Sequence, residues 1–406
     1  MLAMNNNACG RRLMRGALLV AQLVCAERAW AQTPTSNASP VSATLPEDRG
    51  LVVDLLAQAQ YDSNIFRTDN RLTPSVSDEI VIGEVLARYT RQVGNTKLRA
   101  TADLGYDYYI GNSSRSRPRI DISGMGEKPL AGRCVFAPSA RFLYRRSDFG
   151  DINAAVNNNQ TVGTGRISLS CPRTAGFYPF AEGGFQLTRN GPLFRYADET
   201  AASGKIGAGY ARPSLGVLTA YYEYLSSDRA NLNFTNRIDR VGVTFHRAVA
   251  RRIAFDFDLN YLNARSIGLN ERPYRGLGWA TAITLQPRPG WSLRGASERV
   301  VINDSIIPAA FAVQSVYNLR LEYGAQARTR AYVGGQIGNR DFRDDPRVIA
   351  SPFGRDHFRE IYAGLERRVT KRWAMTAEAR HFQRRTNTHV NEYNDTLGTV
   401  GVRLTY

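Results

Sequence analysis

The stretch from Leu397 to Tyr406 reads LGTVGVRLTY, and apolar residues recur in it at every second position. One side of an extended chain would carry Gly398, Val400, Val402, Leu404 and Tyr406, and the other would carry Leu397, Thr399, Gly401, Arg403 and Thr405. Successive side chains of a β-strand point to opposite faces, so this alternation predicts a strand with one apolar face. The neighbouring strands must then show whether that face meets a protein core or a lipid.

The aromatic residue Tyr406 ends the sequence on the apolar side of the predicted strand. The tail resembles the closing strand of bacterial outer-membrane β-barrels, which commonly carry a terminal aromatic. That resemblance implies that Tyr406 belongs to an insertion signal read by the barrel-assembly machinery. The alternative is an ordinary terminal strand of a soluble β-protein.

The first residues predict export from the cytoplasm. Arg11, Arg12 and Arg15 precede a short apolar run, and a small-x-small site ends at Ala31. This pattern indicates a signal peptide over residues 1–31, and no later stretch holds the ~20 continuous apolar residues of a membrane helix. Residues 32–49 are rich in Pro, Ser, Thr and Asn and predict a flexible periplasmic leader, followed by a barrel over residues 50–406. A lipoprotein site at Cys25 is the less favoured alternative, because the residues before it are not small.

The composition is strongly basic. The 406 residues carry a formal net charge of +17, and removing residues 1–31, with four Arg and one Glu, leaves +14. A basic balance permits lipopolysaccharide phosphates, an anionic polymer or nucleic acid as partners. Export across the inner membrane argues against nucleic acid.

Regularly spaced strands fill the rest of the chain. We place 18 candidate strands, with 16 as the alternative, starting near residues 51, 79, 96, 117, 133, 161, 176, 201, 215, 237, 251, 275, 290, 314, 329, 357, 371 and 396. Short turns alternate with longer polar connections at 62–78, 148–159, 190–198, 227–236, 265–274, 303–313, 341–356 and 386–395. This alternation is typical of a transmembrane up-and-down antiparallel β-barrel, which is all-β, and it is not expected of a soluble sandwich.

Charged residues alternate with apolar ones within these strands, as in Ile253–Tyr261. In a barrel the apolar face meets lipid and the charged face lines the lumen. The predicted lumen-lining residues are Arg88, Arg99, Asp103, Arg141, Arg166, Glu182, Glu223, Asp256, Asp258, Arg294, Glu298, Arg320, Glu322, Glu378, Arg380 and Arg403. Interior charges need water or a partner of opposite sign, so the set indicates either a polar passage or a ladder of ion pairs that stiffens the wall.

Further arginines fall in predicted turns and loops, namely Arg340, Arg343, Arg347, Arg355, Arg384 and Arg385. Such a cluster could bind lipopolysaccharide phosphates or attract an anionic polymer. Ordinary solvated loop charge is the alternative.

Two cysteines remain after signal-peptide removal, and the strand assignment brings them together. Cys134 and Cys171 stand at the turn-side ends of consecutive predicted strands, in an oxidising compartment, so we predict a disulfide between them. The alternative is two unpaired thiols that face the lipid interface. No Cys or His spacing indicates a metal site, and none of the sequence motifs of hydrolases, metalloproteases or P-loop enzymes occurs. The sequence predicts no cofactor and no enzymatic activity.

The segment behind the first strand reads Gln60-Tyr-Asp-Ser-Asn-Ile-Phe-Arg67. It resembles a family of outer-membrane β-barrels, of a porin type, that are encoded with exopolysaccharide biosynthesis genes. The residues that carry the resemblance are Tyr61, Asp62, Ser63, Asn64, Phe66 and Arg67. Membership implies a role in export or assembly of a surface polysaccharide, with an anionic polysaccharide and its export proteins as partners.

We therefore expect an outer-membrane barrel embedded among outer-membrane lipids and lipopolysaccharide. The favoured function is a polar passage for a surface exopolysaccharide. The alternatives are a general or substrate-specific porin for small hydrophilic solutes, and a non-conducting structural or adhesion barrel.

Overall fold

The computed structural model describes residues 50–69, 73–147, 158–249, 252–271, 273–302, 310–324, 328–343, 354–389 and 392–406. The predicted signal peptide and leader lie outside the described residues. The described chain is almost entirely β-strand, with short 3₁₀ turns at Ser113–Arg115, Ala131–Arg133, Pro192–Ala197 and Ala230–Leu232. None of its helices is both long and apolar enough to cross a membrane.

The strands are β1 (Gly50–Asp62), β2 (Asp78–Val93), β3 (Thr96–Tyr109), β4 (Arg117–Pro129), β5 (Val135–Ser147), β6 (Asn158–Ser170), β7 (Gly176–Asn190), β8 (Glu199–Arg212), β9 (Gly216–Arg229), β10 (Phe234–Val249), β11 (Ile253–Ile267), β12 (Tyr274–Leu285), β13 (Trp291–Ile302), β14 (Phe311–Tyr323), β15 (Thr329–Arg343), β16 (Arg355–Arg368), β17 (Trp373–Thr386) and β18 (Tyr393–Thr405). Each pairs antiparallel with the next along the chain. The prediction of an all-β, up-and-down antiparallel barrel with 18 strands is confirmed, and the alternative of 16 is wrong.

The barrel closes between its first and last strands. β1 pairs with β18 from Asp54 opposite Thr405 to Asp62 opposite Leu397. The contact continues at the end of the chain, where the Tyr406 N–H donates to the Val53 carbonyl at 2.8 Å and the Val53 N–H donates back at 3.2 Å. Closure satisfies the backbone groups that an edge strand would leave exposed, which is the condition for a sheet within lipid.

The connections are short at one end of the barrel and mostly longer at the other, as the sequence predicts. One predicted long connection, 227–236, is wrong, because β9 and β10 extend into it and leave only residues 230–233 between them. Ser227 and Asn236 are the physical reason: both are polar yet almost fully buried inside the barrel. Their polarity therefore reflects the inner face of a strand and not a solvated loop.

The exterior is apolar along the middle of the strands. Large side chains that stand well exposed include Leu55, Val81, Leu104, Ile167, Phe185, Ile206, Val241, Leu277, Leu319, Ile337, Ile361 and Val400. β-Branched and aromatic residues favour strands, and here they alternate with polar residues on the opposite face. A closed barrel with this apolar exterior is a transmembrane barrel, because lipid chains are the medium that such a surface suits.

The upper part of the hairpin β13–β14, at the long-connection end, leaves the wall and packs inside it. β12 pairs with β13 only as far as Trp279 opposite Arg299. Beyond that point Val301 and Val313, from the outer face of the hairpin, join a buried cluster with Ile238 and Leu262 from the inner face of β10 and β11. The Asn236 side-chain amide also donates a hydrogen bond to the Ala310 carbonyl. The tucked hairpin narrows this end of the lumen.

A disulfide joins Cys134 and Cys171. The two cysteines lie one step beyond the last pair of β5 and β6, Val135 opposite Ser170. The bond therefore extends the pairing of two neighbouring strands at the short-turn end of the barrel.

Candidate functional site

The inner face of the barrel is the candidate site, and the strand register identifies its residues. Residues directly opposite each other on antiparallel strands point to the same side, so the face of Asp54 and Thr405 can be followed from pair to pair. The inner side is less exposed because its side chains converge: the Arg403 side chain is 12% exposed, whereas Val400 on the other side is 59% exposed. All sixteen charged residues that the sequence assigns to the lumen lie on this inner face.

One part of this face, on β14 to β18, holds a connected set of ion pairs that we call the charged network. Arg330 on β15 reaches Glu366 on β16 at 3.2 Å and Glu322 on β14 at 3.7 Å. Glu366 also accepts a hydrogen bond from Arg403 on β18. Glu366 thus holds two arginines, one from the neighbouring strand β15 and one from β18 across β17, and the exposed fraction of each of these side chains is below a fifth.

The network continues toward the long-connection end of the barrel. Arg380 on β17 pairs with Glu360 at 2.8 Å and with Glu378 at 3.0 Å. The Tyr332 hydroxyl donates to Glu378, and the Gln336 amide donates to Glu360 at 2.7 Å. Each carboxylate in this part of the lumen therefore has at least one donor, which offsets much of the cost of removing it from bulk water.

Two further arginines of this region depart from the sequence prediction. Arg340 and Arg384, predicted with the turns and loops, lie on the inner face and are 1% and 0% exposed. Both bind the buried carboxylate of Asp356, Arg340 at 2.7 Å and Arg384 at 2.8 Å. The period-2 alternation of β15 continues through Arg340, and following it to the end of the strand would have placed this arginine inside.

A second group of ion pairs lies on β1 to β5. Arg119 reaches Glu84 at 2.8 Å and Asp107 at 3.3 Å. Arg117 also contacts Asp107, at 3.3 Å. The neighbouring pairs on the same face are Arg88 with Asp54 and Arg141 with Asp121.

The remaining predicted lumen residues are less tightly engaged. Glu182 and Glu223 both lie opposite Lys205 in the register. Arg166 and Glu182 are exposed within the barrel, and within the described ranges neither makes an ion pair. These two opposite charges are therefore available to a solute in the lumen.

Like charges also lie side by side on the inner face. Asp103 lies opposite Asp121, and Arg294 lies opposite Arg320.

The other predicted lumen residues have polar or neutral neighbours. Asp256 contacts His246 at 2.6 Å, and Asp258 accepts a hydrogen bond from Tyr221 at 2.8 Å. Arg99 contacts the Met125 sulfur at 4.0 Å, and Glu298 lies between Ala280 and Val316. The sequence assigned these residues to one face without indicating which of them would meet.

The inner face of β12 and β13 has a different character. Ala280 and Ala282 on β12 and Ala296 on β13 form what we call the small-residue strip, and the buried Gly278 precedes it on the same inner face. The three alanines are partly exposed to the lumen. Because these side chains project little from the wall, the strip leaves more of the lumen cross-section free than the charged network does.

The segment that carries the family resemblance has a structural role at the end of β1. Asn64 is fully buried: its backbone N–H donates to Asp62 at 2.8 Å, and its side-chain amide donates to the Thr68 carbonyl at 3.0 Å and the Asn394 carbonyl at 3.2 Å. The Ser63 N–H donates to the Thr396 carbonyl at 3.0 Å. These bonds attach the first connection to β18. The Arg115 guanidinium carbon lies over the Phe66 ring, 4.8 Å from the ring centroid. Arg67 adopts a left-handed backbone conformation. Tyr61 points outward and is 49% exposed.

Among the described residues no group of three or more His, Cys, Asp or Glu could hold a metal ion. The ring nitrogens of His381 and His389 contact Thr396 and Glu392, at 2.9 Å each. The described site therefore consists of paired charges, hydrogen-bonding side chains and small residues.

Comparison with known proteins gives likenesses of fold only. No family model matches the chain, and no curated protein sequence matches it. Among solved structures it is similar to OccK2 (OpdF) of Pseudomonas aeruginosa in complex with glucuronate, at 10% identity and a TM-score of 0.49 over 87% of this chain and 98% of that one. It is also similar to OccAB3 of Acinetobacter baumannii (11%, TM-score 0.47, 88% and 99%) and to a BenF-like porin of Pseudomonas fluorescens Pf-5 (9%, TM-score 0.47, 89% and 99%). Likenesses this distant carry no conclusion about function, and the fold described above rests on the strand pairing itself.

Proposed function

We propose that this protein is an outer-membrane pore for small hydrophilic solutes. The observation that carries the proposal is the inner face, which is polar or charged along the strands while the outer face is apolar. A lumen lined by ion pairs, amides and hydroxyls stabilises water and polar solutes. In a barrel filled by packed side chains without water, an inner face this polar would be costly.

A small solute suits the lumen better than a polymer. The tucked hairpin reduces the opening at the long-connection end, and the large paired side chains of the charged network occupy part of the cross-section. The small-residue strip, whose side chains project little from the wall, leaves room for a solute beside the network. The exopolysaccharide role implied by the resemblance has no support in the comparisons, and the segment that carries it serves to attach the first connection to β18.

The charge balance of the lumen bears on what passes through it. The sixteen predicted lumen residues comprise eight acidic and eight basic side chains, and many charges of the inner face pair, so the wall itself supplies little net charge. We expect weak selection between anions and cations, and selection by size and hydrogen bonding instead.

Reconstitution tests the proposal directly. Purified barrel in liposomes should allow swelling with monosaccharides and amino acids and should exclude oligosaccharides above a size limit. Ala296→Trp should reduce single-channel conductance by about half or more, because the indole projects from the small-residue strip into the path. Leu319→Trp is the matched control, since Leu319 lies opposite Gly295 on the outer face of the same hairpin.

Three results would contradict the proposal in different ways. A correctly folded barrel that gives no conductance would favour a structural or adhesion role. Passage of long polysaccharide chains would favour the exopolysaccharide role. Equal conductance in Ala296→Trp and the wild-type protein would show that solutes do not pass the small-residue strip.

A further inference from the structure

Four cationic or titratable side chains stand together on the outside of the barrel near its long-connection end. Arg355, His357 and Arg359 occupy alternate outward positions of β16, and Arg385 of β17 lies directly opposite His357. We call these four residues the outer basic cluster. All four are exposed, with 58% of the Arg355 side chain and 45% of the Arg385 side chain accessible.

The cluster is poorly neutralised by the protein. Arg355 lies 3.9 Å from Asp341, whose carboxylate is held more closely by Arg343 at 2.9 Å. Arg385 lies 3.9 Å from Glu392. Within the described part of the chain, the side chains of His357 and Arg359 have no ionic or hydrogen-bonding partner. A region with this excess of positive charge attracts an anion from its surroundings.

The position of the cluster identifies those surroundings. Arg359 lies opposite Ile337, and Ile361 is the next outward residue on β16. Ile337 and Ile361 are 60% and 65% exposed and belong to the apolar band. The cluster therefore begins where the lipid-facing band ends, at the depth of lipid headgroups.

Other outward arginines at this end have acidic neighbours on the same face: Arg237 lies opposite Arg265, and Asp228 and Asp239 stand on the outward face beside Arg237. Elsewhere at the long-connection end the outward side chains include the neutral aromatics Tyr61, Tyr106 and Tyr108. Guanidinium groups bind phosphate oxygens with two parallel hydrogen bonds, and Arg355 and Arg359, four residues apart on β16, stand about 13 Å apart along the strand. That spacing allows neighbouring arginines to bind separate phosphates of one headgroup.

From these observations we propose that the outer basic cluster is a binding site for a phosphorylated glycolipid of the outer leaflet, with Arg355, Arg359 and Arg385 holding its phosphates. The inference rests on the proposed outer-membrane placement, with the long connections outside the cell. It does not depend on what passes through the lumen. Binding would fix the barrel's depth and orientation in the leaflet.

The test is lipid retention by the purified, folded barrel. The variant Arg355→Gln/Arg359→Gln/Arg385→Gln should retain about tenfold less lipopolysaccharide than the wild-type protein after detergent extraction. Arg91→Gln and Arg189→Gln serve as matched controls, because both arginines are outward and exposed but lie outside the cluster. Both controls should retain lipopolysaccharide like the wild-type protein.

Two other probes identify the group that is recognised. Lipopolysaccharide stripped of its phosphates should bind the wild-type protein as weakly as intact lipopolysaccharide binds the triple variant. Phosphatidylglycerol should compete poorly. The single variant Arg359→Glu, at an exposed position, provides the same comparison should the triple variant assemble badly.

Equal retention by the triple variant and the wild-type protein would overturn the proposal. Equal competition by phosphatidylglycerol would reduce the site to general attraction of anionic lipid and would overturn the assignment to a glycolipid. Loss of an oligomer with unchanged lipid retention would assign the cluster to contacts between copies of the chain. A wild-type barrel that retains lipopolysaccharide but conducts no solute would contradict the proposed pore and still support this site.

Discussion

The charged network and the small-residue strip line the same lumen, yet they use the inner face in opposite ways. In the network, Glu366 and Arg380 each bridge two partners, and the side chains extend toward one another along the wall. In the strip, Ala282 lies directly opposite Ala296, and neither reaches beyond the wall. The ion pairs hold the side chains of the network in place along the wall, whereas the small side chains of the strip leave space in the lumen. The position of a path through the lumen therefore depends on side-chain size as much as on charge.

The largest effect is expected from Glu366→Ala, which removes the carboxylate between Arg330 and Arg403. Arg403 then loses its carboxylate and Arg330 keeps the longer contact with Glu322, and removing one partner of a buried ion pair costs about 3 kcal/mol in the free energy of unfolding. The loss should appear as a lower midpoint in urea-induced unfolding followed by tryptophan fluorescence.

The matched control is Glu182→Ala, at an exposed inner position without an ion pair among the described residues. It should change the unfolding free energy by about 0.5 kcal/mol or less. Similar losses in the two variants would mean that the network is no more important to stability than any other lumen charge.

The architecture could be predicted from the sequence, because a period of two repeats through every strand. The sequence places strands starting near 96, 117, 176 and 329, and the structure has β3, β4, β7 and β15 begin at those residues. The inner face follows from the same alternation. Which charges meet does not follow, since a contact such as Arg119 with Glu84 spans β2 to β4 and depends on register and rotamer together.

The tucked hairpin could not be predicted from alternation, which assumes that every strand stays in the wall. A signal was nevertheless present: Ile238 and Leu262 are large apolar residues at inner positions, beside Asn236 and Asn260. Apolar residues facing a polar lumen need a covering element, and Val301 and Val313 of the hairpin supply it. Large apolar residues at inner positions thus indicate where another segment of the chain packs inside the barrel.

A second prediction tests whether the tucked hairpin, which covers Leu262 on the inner wall, limits the opening of the lumen. Leu262 is 1% exposed between the inner wall and the hairpin. Leu262→Ala should cost about 2 kcal/mol or more by leaving a cavity, and the loosened hairpin should raise the mean conductance and its fluctuations in planar bilayers.

Leu259→Ala provides the control on the same strand, because Leu259 faces outward and is 37% exposed. Its channel recordings should match those of the wild-type protein. Unchanged recordings in Leu262→Ala would show that the hairpin does not limit the opening.

The smallest expected effect concerns charge placed on the strip. Ala296 lies opposite Ala282 and Asn318, so an acidic side chain at this position would meet no arginine in the directly paired positions. Ala296→Asp should therefore add a negative charge to the path, partly offset by Arg294 and Arg320 one inner position away, and shift the reversal potential in a salt gradient toward cations, by on the order of 10 mV. Ala296→Asn has nearly the same volume without the charge and should leave the reversal potential unchanged. The shift should shrink as the salt concentration rises, because a charge in contact with water is screened, whereas a charge absorbed into ion pairs gives no shift at any salt concentration. Identical potentials in Ala296→Asp and Ala296→Asn at low salt would mean that permeating ions stay away from the strip, and the path would then have to be sought beside Arg166 and Glu182.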